Sequence, residues 1–525
     1  MKTTSNNSLR VQIIKNSLFG WIKVGTIFIT GFITVPLLIT HLGKEAYGLW
    51  CLLASLVGYF TLFDMGITSS LTRLIPKYLA RGDQESINHV VSTALLIYLV
   101  ISLLIIGISV FFSGKFISFF CLSGQLQKVS KLVFIIIGVG TAVIFPLRCG
   151  NELLYALRRY DIVSQVFSIE SLVRLAFIVI MFRCGFDNLI SLALIVAGSS
   201  VFAYSVLMVI SWKKMSGIKL SIRKLNKDLF KQMSGLSVSA FITTNSVLIC
   251  NNIFIVLVAK LFTEGKILFI AIPLLLVRYG GALINQVTQV IVPAASRMHE
   301  ENERKRLEEL TFFGIRFSLL SGITLFLFFI FSGKLFFSFW LRRALLDLAS
   351  IQVLKISTCI ILGGFLVSIA HKPCQMVARS VGKHWFVAGE SFISSLIGIS
   401  VACLLTLIYN RGLYGIAVGY CTAHVIKGLL YIPITRSFFN LSIGSYVYQA
   451  YVRVLAASCC IFIFFHIKAL LFSEKEFYSL LISLIGMIGI FILSFYVCCL
   501  TKKQKQWVNT FLKRSIFKKK KQYNM

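Results

Sequence analysis

Arg278 stands near the middle of an apolar run, IPLLLVRYGGALINQVTQV. A guanidinium at that depth cannot easily reach water, and its planar fork can grip two phosphate oxygens at once. Gly280 and Gly281 beside it would allow close backbone approach or a break in the helix. The plain alternative is an internal pair with a carboxylate elsewhere. Lys23 is a second cation, about two turns into the first apolar run, where snorkelling to the interface competes with a place on a polar pathway.

Glu170 and Arg174 are four residues apart and so share one helix face. A mutual ion pair is the simpler expectation; the sharper one is that protonation of Glu170 frees Arg174 for phosphate. Asp64 lies near the end of the second apolar run beside Gly66, where it either caps a helix break or carries a coupling proton. Asn251, Asn252, Asn285, Gln286 and Gln289 offer amides suited to sugar hydroxyls, although bonds between helices use amides equally well. Glu390, His424 and Lys427 are further polar residues inside apolar runs and rank second.

The elements that must hold these residues are membrane helices. Only 14% of the 525 residues are charged while 57% are hydrophobic, against about 25% charged in soluble chains. About fourteen apolar runs of spanning length can be drawn. They lie near 17–40, 46–70, 89–112, 131–147, 163–183, 189–212, 236–260, 267–293, 312–332, 352–376, 384–409, 413–435, 451–472 and 477–499. The first reads as a retained helix rather than a cleaved leader, being too long for a signal core. Trp21, Trp50, Trp212 and Trp340 fall near the ends of runs, where an aromatic belt belongs.

The net charge of +34 does not signal nucleic acid, because Lys and Arg sit in short gaps between runs rather than on one soluble face. With the N-terminus cytoplasmic, the inward gaps and tails hold roughly 33 basic residues against about 13 outward, the bias that sets topology. Both termini are then expected inside, with the KKKK run at 518–521 held to anionic lipid. The thirteen cysteines show no metal-ligand spacing, so neither a metal nor a structural disulfide is expected. There is no GxxxxGK[ST] motif for nucleotide, and no cofactor is expected. No gap exceeds roughly 25 residues, which leaves little room for an enzyme's extramembrane machinery.

Pro76 and Pro293 each lead from an apolar run into an amphipathic charged stretch, 217 residues apart. A repeat of that length suggests two six-helix halves, as in many transporters. The expected division is 1–211 and 234–436 for the halves, 212–233 for a basic cytoplasmic linker, 437–500 for two extra helices and 501–525 for a basic tail.

The segment HLGKEAYGLWCLLASLVGYFTLFDMGITSSLTRLIPKYLARGD (41–83) resembles the second helix of polysaccharide flippases of the MOP superfamily, through Leu42, Gly43, Tyr47, Gly48, Asp64, Gly66, Arg73, Gly82 and Asp83. The resemblance implies an all-α integral membrane fold of about fourteen helices, with two six-helix bundles in a V around a central cavity plus two C-terminal helices. It further implies alternating access, proton or ion coupling, and an undecaprenyl-diphosphate-linked oligosaccharide as cargo for O-antigen, capsule or exopolysaccharide. Expected partners are that cargo, membrane lipid and a polysaccharide polymerase, in a bacterial inner membrane. On this reading Lys23, Arg278, Arg174, Asn251, Asn252 and Gln286 meet substrate, while Asp64 and Glu170 couple the ion. No arginine stands midway along the second run, a departure from the lipid II flippase pattern. A MATE-type exporter of cationic drugs is the alternative within transport, disfavoured by the basic intramembrane set. An integral-membrane polymerase or ligase is the alternative from another class.

Overall fold

A computed structural model of the protein describes residues 2–120, 124–215, 217–218, 252–288, 291–341, 347–471, 477–502, 504–506 and 510. Most of the linker at 212–233, most of the seventh expected span and nearly all of the basic tail lie outside the described residues. Among the described residues every regular element is helical.

Among the described residues twelve helical stretches are long and apolar enough to cross a membrane. The first, Lys15–Asp64, has 50 residues, about 75 Å at the helical rise and more than twice a hydrocarbon core of ~30 Å. It takes in the expected run at 17–40 and the run at 46–70 as far as Asp64. Its main helix, α1 (Lys2–Gly58), bends at Gly43, whose φ of 88° and ψ of 169° leave the helical region. Gly66 and Gly82 also carry positive φ, at 80° and 67°. Three glycines of the 41–83 motif therefore sit where a Cβ would be strained.

A short 3₁₀ turn, Tyr59–Asp64, follows α1 and leads through Gly66 into the amphipathic α2 (Ile67–Arg81). Asp83 then caps α3 (Gln84–Phe111), accepting from the Ser86 amide at 2.9 Å. The Ser86 hydroxyl also donates to it, and these bonds hold the Asp83 carboxyl below the usual carboxylate range.

Three long helices follow, α4 (Gly124–Ala156), α5 (Tyr160–Arg183) and α6 (Leu189–Lys214). The middle of the chain adds α7 (Leu268–Thr288), α8 (Ile291–Glu300), α9 (Arg304–Trp340), α10 (Leu348–Ala370) and α11 (Lys372–Ser380). The last helices are α12 (His384–Cys403), α13 (Leu413–Leu429), α14 (Tyr431–Phe439), α15 (Arg453–Leu471) and α16 (Phe477–Ser494). Large apolar side chains stand outward on them, with Phe111 81% and Phe202 70% exposed. Such faces suit lipid, and the helices satisfy their own backbone polar groups. This is a multi-pass membrane protein.

The chain divides into two compact units. The first comprises 1–286, 341–346 and 384–419; the second comprises 287–340, 347–383 and 420–525. In the first, α4 packs against α3 and α6, and α1 against α5. A buried clamp pins α1 to the start of α5: Asp161, with a fully buried side chain, pairs with Arg159 at 3.0 Å and Lys15 at 3.4 Å. In the second unit, α9 is the central helix, flanked by α10, α15 and α16.

Candidate functional site

The first unit carries a half-open cavity of about 270 Å³ lined by α1, α7 and Asn252. Arg278 and Tyr279 of α7 face Tyr47, Trp50 and Cys51 of α1 across it, with Asn252 at the wall. Helix α7 belongs to the most enclosed of the candidate spans, with 67% of its apolar window buried, yet Arg278 on it is exposed. Its guanidinium therefore opens onto the cavity rather than into packed protein. Among the described residues no carboxylate pairs with Arg278. The internal ion pair weighed for it from sequence is not made there.

The cavity owes its shape to a glycine. Gly31 of α1 faces Tyr279, and a Cβ at that position would overlap the tyrosine hydroxyl. Phe28, one turn earlier, meets the Tyr279 ring edge-on at 5.3 Å. The Tyr279 hydroxyl lies within electrostatic reach of both Arg278 and Arg174. Trp50, expected in an aromatic belt, is instead part of the cavity wall, because α1 bends at Gly43 before reaching it.

The other expected site residues are distributed around this centre. Arg174 pairs with Glu170 at 3.2 Å, the simpler of the two arrangements expected from their spacing. Ser199 of α6 donates to the same carboxylate at 3.1 Å. Lys23 is not among the cavity-lining residues; its ammonium lies 4.8 Å from the centroid of the Phe167 ring, a cation–π contact. Gln286 sets its amide against the α1 backbone at Gly20, and Asn252 does the same at Gly58. Asn251 lies outside the described residues. Asp64 does not cap α2, which has no side-chain cap bond. It accepts from the Tyr98 hydroxyl and the Thr68 hydroxyl, each at 2.8 Å.

A second polar cluster escaped the sequence reading. Helix α4 continues past Pro146 to Ala156, so Arg148, Asn151 and Glu152 lie on a membrane helix rather than in the gap after residue 147. Glu152 is 4% exposed; one carboxylate oxygen accepts from Asn151 at 2.9 Å and the other has no partner. Asp64 and Arg148 act on it electrostatically, and Arg148 lies within electrostatic reach of Tyr204 of α6. Tyr204 also feels Glu170. Titratable groups thus run from Asp64 through Glu152, Tyr204 and Glu170 to Arg174 and the cavity. The overlooked signal was the opposite-charge spacing of Arg148 and Glu152, the same four residues that marked Glu170 and Arg174.

Comparison with known proteins agrees with this architecture. Residues 13–299 match the family model described as polysaccharide biosynthesis protein. The chain belongs to that family. It is 23% identical over 427 residues to the uncharacterized membrane protein EpsK of Bacillus subtilis, covering 78% of this chain and 80% of EpsK. It is 22% identical over 429 residues to a putative O-antigen transporter of Shigella flexneri, covering 80% and 97%. In fold it resembles the lipid II flippase MurJ in an inward closed conformation, with a TM-score of 0.70 over 91% of this chain and 97% of MurJ at 16% identity. An inward-facing multidrug-resistance MATE transporter gives 0.67 over 80% and 98%, at 11% identity. The fold is that of the MOP superfamily, and the relatives named by activity are transporters rather than enzymes.

Proposed function

We propose that this member of the polysaccharide biosynthesis family is a flippase. It carries undecaprenyl-diphosphate-linked oligosaccharide repeat units from the cytoplasmic to the outer leaflet for surface polysaccharide synthesis. The observation that carries the reading is Arg278, a cation open to a pocket with no carboxylate partner among the described residues. A diphosphate supplies the missing charge, and Arg174 beside Tyr279 supplies a second guanidinium. Asn252 and Tyr47 in the same wall offer an amide and a hydroxyl to a sugar. At about 270 Å³ the cavity is smaller than common pockets for drug-sized ligands, about 300–1,000 Å³. It takes a headgroup in this state, and alternating access by the two expected six-helix halves must enlarge it for the whole cargo.

The coupling ion in this reading is a proton moving among Asp64, Glu152 and Glu170. Its arrival at Glu170 loosens the pair with Arg174 and frees that guanidinium for phosphate. Lys23, Gln286 and Asn251 are further contacts to the cargo in this reading. The protein works in a bacterial inner membrane with both termini cytoplasmic, beside a polymerase that consumes its product. The MATE-like fold leaves a drug exporter as the rival, but a cavity headed by an arginine repels cationic drugs.

The test is complementation of a bacterial host deleted for its own flippase, reading surface glycan and undecaprenyl-linked intermediates. Wild-type rescue with intermediates trapped by Arg278→Ala supports cargo class and site together. Wild-type rescue that Arg278→Ala fully shares keeps the function and discards the site. Drug efflux without any effect on lipid-linked glycan, in a host whose glycan matches, overturns the reading.

A further inference from the structure

We propose that Arg316 and Arg453, in the second unit, form a binding site for the phosphate of an anionic lipid headgroup. Arg316 lies on α9 and is 4% exposed, with its Nε lacking any hydrogen-bond partner. The groups within its electrostatic reach are Arg453, at the start of α15, and Cys499, at the end of the π-helical turn Phe495–Cys499 that closes α16. Two arginines therefore lie within electrostatic reach of each other where three helices meet, and among the described residues neither makes an ion pair. A buried charge without a counterion is strongly unfavourable, and two like charges together are more so.

The local structure supplies no adequate anion. The carboxylate of Glu308, two turns back on the same face of α9, accepts from Gln449 at 3.1 Å. The end of α16 presents carbonyl groups worth roughly half a charge, and Lys505 already donates to one of them, that of Val497, at 2.6 Å. The Cys499 thiol turns to the carbonyl of Arg453 itself. A bound phosphate would satisfy both guanidinium groups through charge-assisted bonds.

A lipid suits the surroundings better than a free ion. Phe313 and Phe317 of α9, either side of Arg316, meet Phe495 at 5.8 and 5.6 Å, and Phe317 meets Phe491 at 5.9 Å. These rings shield one side from water, while Arg453 is half-buried and gives access from outside. Lys502 and Lys505 lead from the same end of α16 into the basic tail, and basic clusters at a membrane end gather anionic lipid. The inference does not depend on what the protein transports.

The experiment is native mass spectrometry of the purified full chain in detergent, titrated with phosphatidylglycerol, phosphatidylcholine, a polyprenyl phosphate and inorganic phosphate. Wild type is expected to hold one anionic lipid at least about tenfold more tightly than Arg316→Met or Arg453→Gln, the loss of one charged contact. Tighter retention of phosphatidylglycerol assigns the site to bulk lipid, and tighter retention of the polyprenyl phosphate assigns it to a carrier lipid. Equal affinity in wild type and both variants overturns the proposal, as does equal retention of phosphatidylcholine. So does inorganic phosphate binding as tightly as either anionic lipid. Should Arg316→Met fail to fold, the half-buried Arg453→Gln carries the test alone.

Discussion

The hydroxyl of Tyr279 occupies the space in which a side chain at Gly31 would begin. That single relationship ties α1 to α7 beside Arg278, the preceding residue, which lines the cavity. Gly31→Ala should push Tyr279 aside, with an overpacking cost of about 1–3 kcal/mol. In the double variant Gly31→Ala/Tyr279→Ala much of that cost should vanish, giving an interaction energy of about 0.5–3 kcal/mol in a double-mutant cycle. Thermal unfolding in detergent measures it, and strict additivity would show that the two residues do not touch.

Arg278→Ala should leave expression and melting near wild type, because its guanidinium opens onto a cavity instead of supporting a packed pair. Surface glycan should fall by at least about tenfold, the worth of one charged contact. Arg278→Lys should recover part of it, since an ammonium keeps the charge but loses the fork. Complementation in the flippase-deleted host measures all three.

Glu170→Gln removes the charge that holds Arg174 but can still accept from Ser199. The variant should still fold, with a stability loss of up to about 3–5 kcal/mol, since Glu170 keeps only 8% of its side-chain surface open and Arg174 loses its charged partner. Transport should uncouple from the ion gradient while cargo binding persists. Wild-type coupled transport by this variant would remove Glu170 from the mechanism.

Glu152 offers a different readout. Gln at this position keeps the bond from Asn151 and fixes the neutral form. Transport by Glu152→Gln in proteoliposomes should no longer respond to an imposed proton gradient, whereas wild type should respond. An unchanged response would make Glu152 a packing residue only.

Asp83 carries a pH effect with a defined sign. Its folded-state pKa is depressed by the Ser86 bonds, so its contribution is complete above the unfolded value near 3.9. It is lost as pH falls through the lower folded value. Wild type should therefore be more stable than Asp83→Ala at neutral pH, and the gap should narrow as pH drops below about 4. Melting curves across that range check it; a gap independent of pH would mean that the carboxylate does not cap α3.

The residues themselves determined the class of this protein. Apolar runs of bilayer length leave no other solvent, and that logic needs only composition and length along the chain. The 41–83 motif was equally legible, because its glycines answer local backbone demands at positions 43, 66 and 82. The four-residue spacing of Glu170 and Arg174 also foretold their pair, since helix geometry alone brings them together. What surrounds Arg278 was beyond such reasoning. Whether a cation on a helix meets a carboxylate, a lipid or a cavity depends on which side chains of distant helices share its depth. Tertiary packing placed Tyr279 against Gly31 and drew Trp50 from an expected belt into the cavity wall. It also continued α4 beyond Pro146, bringing Glu152 into electrostatic reach of Asp64. Local sequence can assign a residue to a helix; only the assembled helices decide what that residue faces.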